Sequence, residues 1–323
     1  MIRDSVFDFV GQRFEKERSL ISRSTIAKEL GRLEKEAVDR MANVLNSQTA
    51  KILENADRDI DQGNIAAIAS IDWSVAPELQ RILFEMWGKA WQLGQKHGIE
   101  SQQKAIPPTV KRAANDRGAF SKYAALDPVT EADVRNVLGM QPIGFEGTAY
   151  QRALLRRSVD LSGSFSKDIL TRLVGDLLAS VTPQPETGVP ISRPELLARI
   201  QATANVTKAR AVAIARTETT NVYNQARLET YQRSNLATHV RFLAISDDRT
   251  TDICLSRNGM VIPVSDSAAI AENTPPLHVN CRSQLSPLLP AVSPSHEKMA
   301  NDPARNPTAR TLAPLPNNWR GGS

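Results

Sequence analysis

The sequence predicts an α+β protein: a mainly helical N-terminal part of long amphipathic helices, followed by a small α+β domain and an extended C-terminal tail. Through the first half, apolar residues recur at steps of three and four, as on one face of a helix. After Ser234 the pattern changes to short apolar runs between polar turns. Aromatic residues make up only 5% of the 323 residues, which is typical of a helix-rich protein rather than a β-sandwich.

Prolines and capping residues divide the chain. Thr182–Pro190 holds three prolines and predicts a linker. Ser192, with Glu195 three residues later, forms a capping-box pattern that opens a short helix ending near Ala202. A second helix is predicted to begin at Lys208. Four segments result: a helical domain (1–182), a linker with a short helix (183–206), an α+β domain (207–287) and an extended or disordered tail (288–323).

Three long helices are predicted in the N-terminal part. The first runs from about Thr25 to Ile60. The second begins at Pro77, where the missing N–H of proline has no helical partner to lose, and it ends before Ile106-Pro107-Pro108. The third begins near Tyr150.

Three short strands are predicted in the α+β domain. They span His239–Ser246, Met260–Val264 and Cys281–Ser286. A turn at Asn258-Gly259 leads into the second strand. We expect these strands to form one small sheet, with the helix from Lys208 packed on it.

The bulk composition restricts the class of protein. A net charge of +5 is mild and does not by itself indicate nucleic-acid binding. Two cysteines are too few for a disulfide-based scaffold. The start of the sequence carries an early acidic residue and no apolar signal-peptide core, and no apolar run approaches the ~18 residues of a membrane span. We expect a cytosolic protein, or one that belongs to a particle assembled in a cytosol.

A polar row lies on the helix that precedes the strands. Glu218, Asn221 and Asn224 are three residues apart, so they share one side of the helix. Apolar neighbours such as Val222 and Tyr223 favour a buried network that clamps an adjoining loop, and the alternative is a solvated row.

Two carboxylates follow the first predicted strand. Asp247 and Asp248 open the segment that ends at Thr251, where aspartates bond backbone amides and initiate turns. Paired carboxylates after a strand also resemble a metal or acid–base site. The structural turn is the favoured interpretation.

Three soft metal ligands occur in the same domain. Cys254 is followed by the His278-x-x-Cys281 pair, and a closed structural zinc site requires four such ligands. Asp248, Asp252, His239 or a water molecule are candidates for the fourth position. The competing interpretations are two reduced cysteines packed as small apolar residues, or a disulfide.

The order of these features resembles the head morphogenesis domain of the phage Mu protein F-like family. The features are Ala215-Arg216-Thr217-Glu218, a strand, Asp247–Thr250, Cys254, a Gly turn, Pro275-Pro276 and His278-x-x-Cys281-Arg282, within about residues 209–287. The resemblance implies a minor head protein of a tailed phage, present inside the capsid in few copies. It implies association with the portal protein and the major capsid protein, with packaged DNA as a further candidate partner, and a role in head assembly and DNA packaging or delivery. The expected location is the virion interior, with the host cytoplasm during assembly.

The resemblance also has implications for the candidate site residues of the α+β domain. Relatives carry a further cysteine near the position of Thr251 or of Ser283, and this chain has hydroxyl residues at both positions. We therefore expect no enzyme, no catalytic residue and no cofactor, with zinc at Cys254, His278 and Cys281 as the alternative. The predicted structural polar cluster consists of Arg216, Glu218, Asp248, His278 and Arg282. The alternative function is a metal-dependent hydrolase or nuclease that uses Asp247, Asp248, Cys254, His278 and Cys281.

Small apolar groups interrupt the proline-rich tail. An extended segment that docks on a partner has use for such groups, because proline reduces the ordering entropy that binding must overcome. The predicted docking residues are Leu288, Leu289, Leu312, Leu315 and Trp319.

Overall fold

The computed structural model describes residues 25–61, 76–115 and 131–317, apart from residues 147, 182 and 246. Two compact units are present. The helical unit contains Leu33–Gly88 and Glu146–Ala215, and the sheet unit contains the described residues of Met1–Arg32, Lys89–Phe145 and Arg216–Ser323. Each unit is considered by itself below.

Helices dominate the described residues up to Ser234. In chain order they are α1 (Thr25–Asp61), α2 (Ala76–Ala105), α3 (Pro108–Asn115), α4 (Glu131–Gly139), α5 (Ala149–Val181) and α6 (Arg193–Ser234). The three predicted long helices are confirmed as α1, α2 and α5. The capping box is also confirmed, because Ser192 Oγ accepts a hydrogen bond of 3.4 Å from the Glu195 amide at the start of α6.

One predicted interruption is absent. The sequence predicts separate helices ending near Ala202 and beginning at Lys208, but α6 is a single helix of 42 residues. No proline or glycine lies between these two positions. The β-branched Val206 and Thr207 lower helix propensity by only a few tenths of a kcal/mol, roughly, relative to the better helix formers, which is too little to end a helix.

In the helical unit, the predicted apolar stripes form the core. Leu33, Ala37, Met41 and Leu45 are buried on α1 at steps of four residues. The first half of α2 buries a second stripe: Leu79, Ile82, Leu83, Met86 and Trp87.

The sheet unit contains a three-stranded antiparallel sheet, which confirms the predicted α+β class. The strands are β1 (His239–Leu243), β2 (Val261–Pro263) and β3 (Gln284–Leu288), in the order β2-β1-β3. Val240 of β1 lies opposite Ile262 on one side and Pro287 on the other. Helices α7 (Asp252–Arg257) and α8 (Ser267–Asn273) occupy the connections, and α9 (Pro294–Ala300) follows the sheet.

Side chains from both helices and strands fill the core of the sheet unit. Each Val, Leu, Ile or Phe side chain that is fully buried contributes roughly 1.5–3 kcal/mol of hydrophobic free energy. The buried members of this core include Ile99, Val110, Val134, Val137, Leu228, Tyr231, Val240, Phe242, Ile262 and Leu285.

Within the sheet unit, the second half of α2 packs closely against the second half of α6. A Cβ on Gly94 would lie 2.5 Å from the Tyr223 carbonyl oxygen and 2.7 Å from Ala226 Cβ. A Cβ on Gly98 would lie 3.0 Å from Thr230 Cβ. Only glycine permits this approach, because the atoms in the way at Gly94 are backbone and a short side chain that cannot rotate aside.

The C-terminal segment differs from the predicted extended tail. It forms α9 and three short 3₁₀ turns, each of which begins with a proline. Proline is favourable at the first helical position, so the same prolines that suggested an extended chain instead start helical turns. Leu288 and Leu289 are buried, and Leu312 and Leu315 pack against the core of the sheet unit.

These contacts correct the interpretation of the tail leucines as partner-docking residues, since their apolar surface is used within the chain. Trp319 lies outside the described residues. The last described segment is also held by polar bonds: the Arg257 guanidinium donates to the Ala313 carbonyl at 2.9 Å, and the Ala313 amide donates to Ser256 Oγ at 3.1 Å. Among the helices described, none is both long and apolar enough to cross a bilayer.

Candidate functional site

The three predicted soft ligands converge. Cys254 lies in the first turn of α7, whereas His278 and Cys281 lie on the loop that leads into β3. The Cys254 sulfur is 3.1 Å from His278 Nε2 and 3.7 Å from the Cys281 sulfur. The three ligand atoms all lie within 4.8 Å of one another, and no further His, Cys, Asp or Glu among the described residues joins the group.

Backbone bonds fix the orientation of the His278 ring. Its Nδ1 lies 2.8 Å from the Val279 carbonyl oxygen, which can only accept a hydrogen bond, so Nδ1 carries a proton. In the neutral ring Nε2 is then the unprotonated nitrogen, and it faces the two sulfurs. Asn280, with φ of 62°, supplies the left-handed residue that turns the chain between His278 and Cys281.

The hydrogen bond between the two thiols shifts their pKa values in opposite directions. The hydrogen bond between Cys254 and Cys281 raises the pKa of Cys254 and lowers that of Cys281, and His278 lowers the latter further. The bond to Cys281 also raises the pKa of His278. Both cysteines are free thiols, since a sulfur separation of 3.7 Å far exceeds the ~2.05 Å of a disulfide bond.

Four side chains of α6 hold the loop that carries His278 and Cys281. We call Thr217, Thr220, Asn224 and Arg227 the polar clamp; they are spaced three, four and three residues apart, so they share one face of the helix.

Each residue of the polar clamp binds the loop or the start of β3. Thr217 Oγ1 accepts from the Asn280 amide at 3.0 Å, and Thr220 Oγ1 donates to the Cys281 carbonyl at 2.8 Å. Asn224 donates to the Ser283 carbonyl at 3.1 Å and accepts from the Leu285 amide at 2.9 Å. Arg227 donates to Gln284 Oε1 at 2.7 Å.

The clamp uses a different face of α6 from the predicted polar row. Asn224 belongs to both sets, but Glu218 and Asn221 lie on neighbouring faces, Glu218 buried and Asn221 part-exposed. The expectation that α6 clamps an adjoining loop agrees with these bonds, which involve Asn224 of the predicted row and add Thr217, Thr220 and Arg227. The signal that could have identified them is the heptad-like spacing of Thr217, Thr220 and Asn224.

Arg227 lies at the centre of a buried polar network that the sequence did not indicate. Its guanidinium donates to the hydroxyl of Tyr231 at 2.7 Å and to that of Tyr223 at 3.2 Å. Both rings also lie within cation–π distance of the guanidinium carbon, at 5.4 and 5.8 Å. Burial raises the pKa of Tyr223 to about 12, so the phenol stays neutral. Burial, followed by the charge of Arg227, lowers the pKa of His97, whose Nδ1 is 3.1 Å from the Tyr223 hydroxyl.

The residues of the predicted polar cluster take part in several separate contacts. Arg282 forms a bidentate pair with Asp247, at 2.6 and 2.7 Å, whereas Asp248 is exposed. Arg216 donates to Asn280 Oδ1 at 3.4 Å, and His278 belongs to the cysteine cluster. The aspartate paired with Arg282 is therefore Asp247, the neighbour of the predicted Asp248.

The interpretation of Asp247–Thr251 as a structural turn is confirmed. Asp247 Oδ1 accepts from the Arg249 amide at 3.1 Å and from Thr250 Oγ1 at 3.0 Å. Hydrogen bonds from Arg282 hold the pKa of Asp247 well below its usual range, with Thr250 and the Arg249 amide contributing in the same direction.

The space beside the cysteine cluster is small. A cavity of about 10 Å³ lies against Cys254 and His278, with Thr250, Asn280 and Ser283 among its other walls. Such a volume holds about one water molecule.

Together, the second half of α6, the small sheet and the clamped cysteine–histidine loop define the α+β part of the sheet unit. Residues 191–286 match the sequence profile of the phage Mu protein F like protein family, which supports the resemblance of this part of the chain to the Mu F-like head morphogenesis family. The match begins 18 residues before the predicted position 209 (209 − 191), so it includes the whole of α6. No curated protein and no solved structure matches the chain.

Proposed function

We propose that the protein is a minor head protein of a tailed bacteriophage, located inside the capsid. In this role it associates with the portal protein and the major capsid protein, with packaged DNA as a further partner, and contributes to head assembly and DNA packaging or delivery. The match of residues 191–286 to the phage Mu protein F like family carries this proposal. Residues 216–286 of the matched segment belong to the sheet unit, with the second half of α6 and the small sheet, so the likeness includes a structured region.

The geometry of the site favours a structural role over the hydrolase alternative. A hydrolase must admit a substrate beside its acid or base, but the cavity at the cysteine cluster has room for about one water molecule. Asp247 is occupied by its bidentate pair with Arg282 and stays ionised at neutral pH, so it cannot act as a general acid there. Asp248 is exposed and is not a member of the cysteine cluster.

The proposal is tested on virions. Particles that carry a tagged copy of the chain are purified, treated with protease while intact, and quantified by mass spectrometry against the portal protein. We expect the chain to be protected and to occur at a fixed, low ratio to the portal. Its absence from purified particles, or its removal by protease while the internal proteins survive, contradicts the proposal.

A second experiment distinguishes a role in head assembly from a role in DNA delivery. Phage lacking the gene are examined for assembled heads, packaged DNA and ejection, and the complete chain supplied in trans is the control. A defect in any of these steps that the supplied chain restores supports the proposal. Wild-type titre and normal DNA content in phage that lack the chain contradict it.

A further inference from the structure

We propose that Cys254, His278 and Cys281 bind a Zn²⁺ ion through two sulfur atoms and Nε2, with a water molecule as the fourth ligand. The proposal assigns to the domain a metal site with three protein ligands and one position open to water. It rests on the geometry of this chain and does not depend on the proposed function in the virion.

The positions of the ligand atoms match the coordination geometry of zinc. Tetrahedral Zn²⁺ with Zn–S bonds of about 2.3 Å places two sulfur ligands about 3.8 Å apart, and the observed separation is 3.7 Å. The same geometry places sulfur and imidazole nitrogen about 3.6 Å apart, against 3.1 Å between Cys254 and His278. A shift of His278 Nε2 by about 0.5 Å away from the Cys254 sulfur accommodates the ion.

The ligands are held in place without the ion. The Val279 carbonyl fixes the tautomer of His278 that presents a lone pair at Nε2, as second-shell acceptors do for metal-bound histidine. Thr220 binds the carbonyl of Cys281 from α6, and the amide of Cys254 donates to Thr251 at 3.0 Å in the first turn of α7. Binding therefore requires little ordering of the loop.

The ligand chemistry selects the kind of ion. Two thiolates and an imidazole suit a soft or borderline cation, and no carboxylate among the described residues joins the three. Ca²⁺ and Mg²⁺ require oxygen ligands, so they do not fit. The cavity of about 10 Å³ beside Cys254 and His278 accommodates the water that completes the tetrahedron.

Two other arrangements explain less of the geometry. A disulfide would move the sulfurs from 3.7 Å to about 2.05 Å apart and would leave the lone pair of Nε2 facing a bond that cannot donate to it. A pair of packed apolar thiols does not require an imidazole nitrogen 3.1 Å from one sulfur.

The site fastens two connections of the sheet to each other. Cys254 belongs to α7, which precedes β2, and the other two ligands belong to the loop before β3. Because the polar clamp holds the same loop to α6, the ion links α7 through the loop to the long helix. We expect metal removal to loosen this part of the domain while leaving the helical unit folded.

The test uses the full chain, purified under reducing conditions with an affinity tag that does not bind metals. Elemental analysis should find about one zinc ion per chain. Co²⁺ added to chelator-treated protein should give the intense visible bands of a tetrahedral thiolate site. Returning Zn²⁺ to the chelated protein should raise its melting temperature, a reversible effect that does not depend on any variant folding correctly.

Substitution locates the ion. Cys281→Ser and His278→Gln should lower the zinc content to background and abolish the Co²⁺ bands. His239→Gln removes a histidine of β1 outside the cluster and should leave both unchanged. Zinc retained in Cys281→Ser overturns the assignment. So does wild-type protein that takes up no zinc or cobalt, whether its two thiols titrate as free or are joined as a disulfide.

Discussion

The two halves of α6 are stabilised in different ways. The half from Arg193 to Ala215 belongs to the helical unit, and its polar contacts are on the surface: Arg199 pairs with Glu195 at 2.8 Å, with both side chains more than 40% exposed. The half from Arg216 to Ser234 belongs to the sheet unit, and several of its polar side chains, among them Thr220, Asn224 and Arg227, are buried and bonded to backbone or phenol groups. Exposed i,i+4 ion pairs contribute about 0.3–0.5 kcal/mol, whereas breaking a buried charged contact costs about 3–5 kcal/mol. One helix therefore contains contacts whose energies differ about tenfold.

The largest expected effect is at Arg227. Arg227→Ala removes the donor to two phenols and to Gln284, all of them buried, and should lower the free energy of unfolding by about 3–5 kcal/mol. Chemical denaturation of the full chain, followed by tyrosine and tryptophan fluorescence, measures the loss. The matched control is Arg199→Ala in the exposed half of the same helix, which should cost no more than about 0.5 kcal/mol. Equal losses for the two arginines would remove the distinction between the halves.

The second largest effect is expected where α2 and α6 pack closely inside the sheet unit. Gly94→Ala places a methyl group against the Tyr223 carbonyl and Ala226, and overpacking of this kind costs about 1–3 kcal/mol. Gly31→Ala in α1 meets nothing within 4 Å, so the gain in helix propensity should stabilise the chain by up to about 1 kcal/mol. The same substitution should thus change the melting temperature in opposite directions at the two sites. A rise at Gly94 would show that the helices can separate at no net cost.

The third prediction compares the polar clamp with the neighbouring face of α6. Asn224→Ala leaves the Leu285 amide and the Ser283 carbonyl without their side-chain partner, and a buried unsatisfied group costs about 1–3 kcal/mol. Asn221→Ala, on the part-exposed side of α6, should change stability by no more than about 0.5 kcal/mol. Amide hydrogen exchange at Leu285 should rise in the first variant and not in the second. If Asn221→Ala is the more damaging change, the predicted polar row was the correct face after all.

Local patterns in the sequence predicted the elements but not their partners. The apolar stripes, the Ser192 cap and the three strands all follow from periodicity and capping chemistry, which depend on neighbouring residues. The spacing of Thr217 and Thr220 places them on one face of α6, but it does not show that this face meets the loop before β3. Arg227 contradicts the general preference of charges for the surface, and only the two tyrosines that surround it make its burial possible.

The tail and the cysteine cluster show the same limit of prediction from local sequence patterns. Prolines predicted an extended segment, yet proline also begins helical turns, and only the contacts of Leu312 and Leu315 with the core decide between the two outcomes. The sequence contained three soft ligands and no fourth, and spacing alone could not show that residues 254, 278 and 281 converge. Both cases were decided by contacts between residues far apart in the sequence.

The smallest expected effect on stability concerns the ion pair between Asp247 and Arg282. Its side chains are 30% and 22% exposed, so its burial is intermediate between that of the exposed Arg199 pair and that of the buried Arg227 contacts. We expect Asp247→Asn to lower the free energy of unfolding by about 0.5–1 kcal/mol at pH 7. Asp248→Asn, which changes the exposed neighbour, should have no resolvable effect.

The pH dependence of this difference has a definite sign. Arg282 lowers the pKa of Asp247 in the folded chain, so between the folded value and the unfolded value of about 3.9 the unfolded chain binds more protons. The stabilisation is therefore complete above the unfolded pKa and is lost as the pH falls toward the folded one. Denaturation of wild type and Asp247→Asn between pH 6 and pH 3 should show the two curves converging at the acid end. A difference that stays constant over this range would mean that the asparagine disturbs the turn at Arg249 and Thr250 rather than removing a charge.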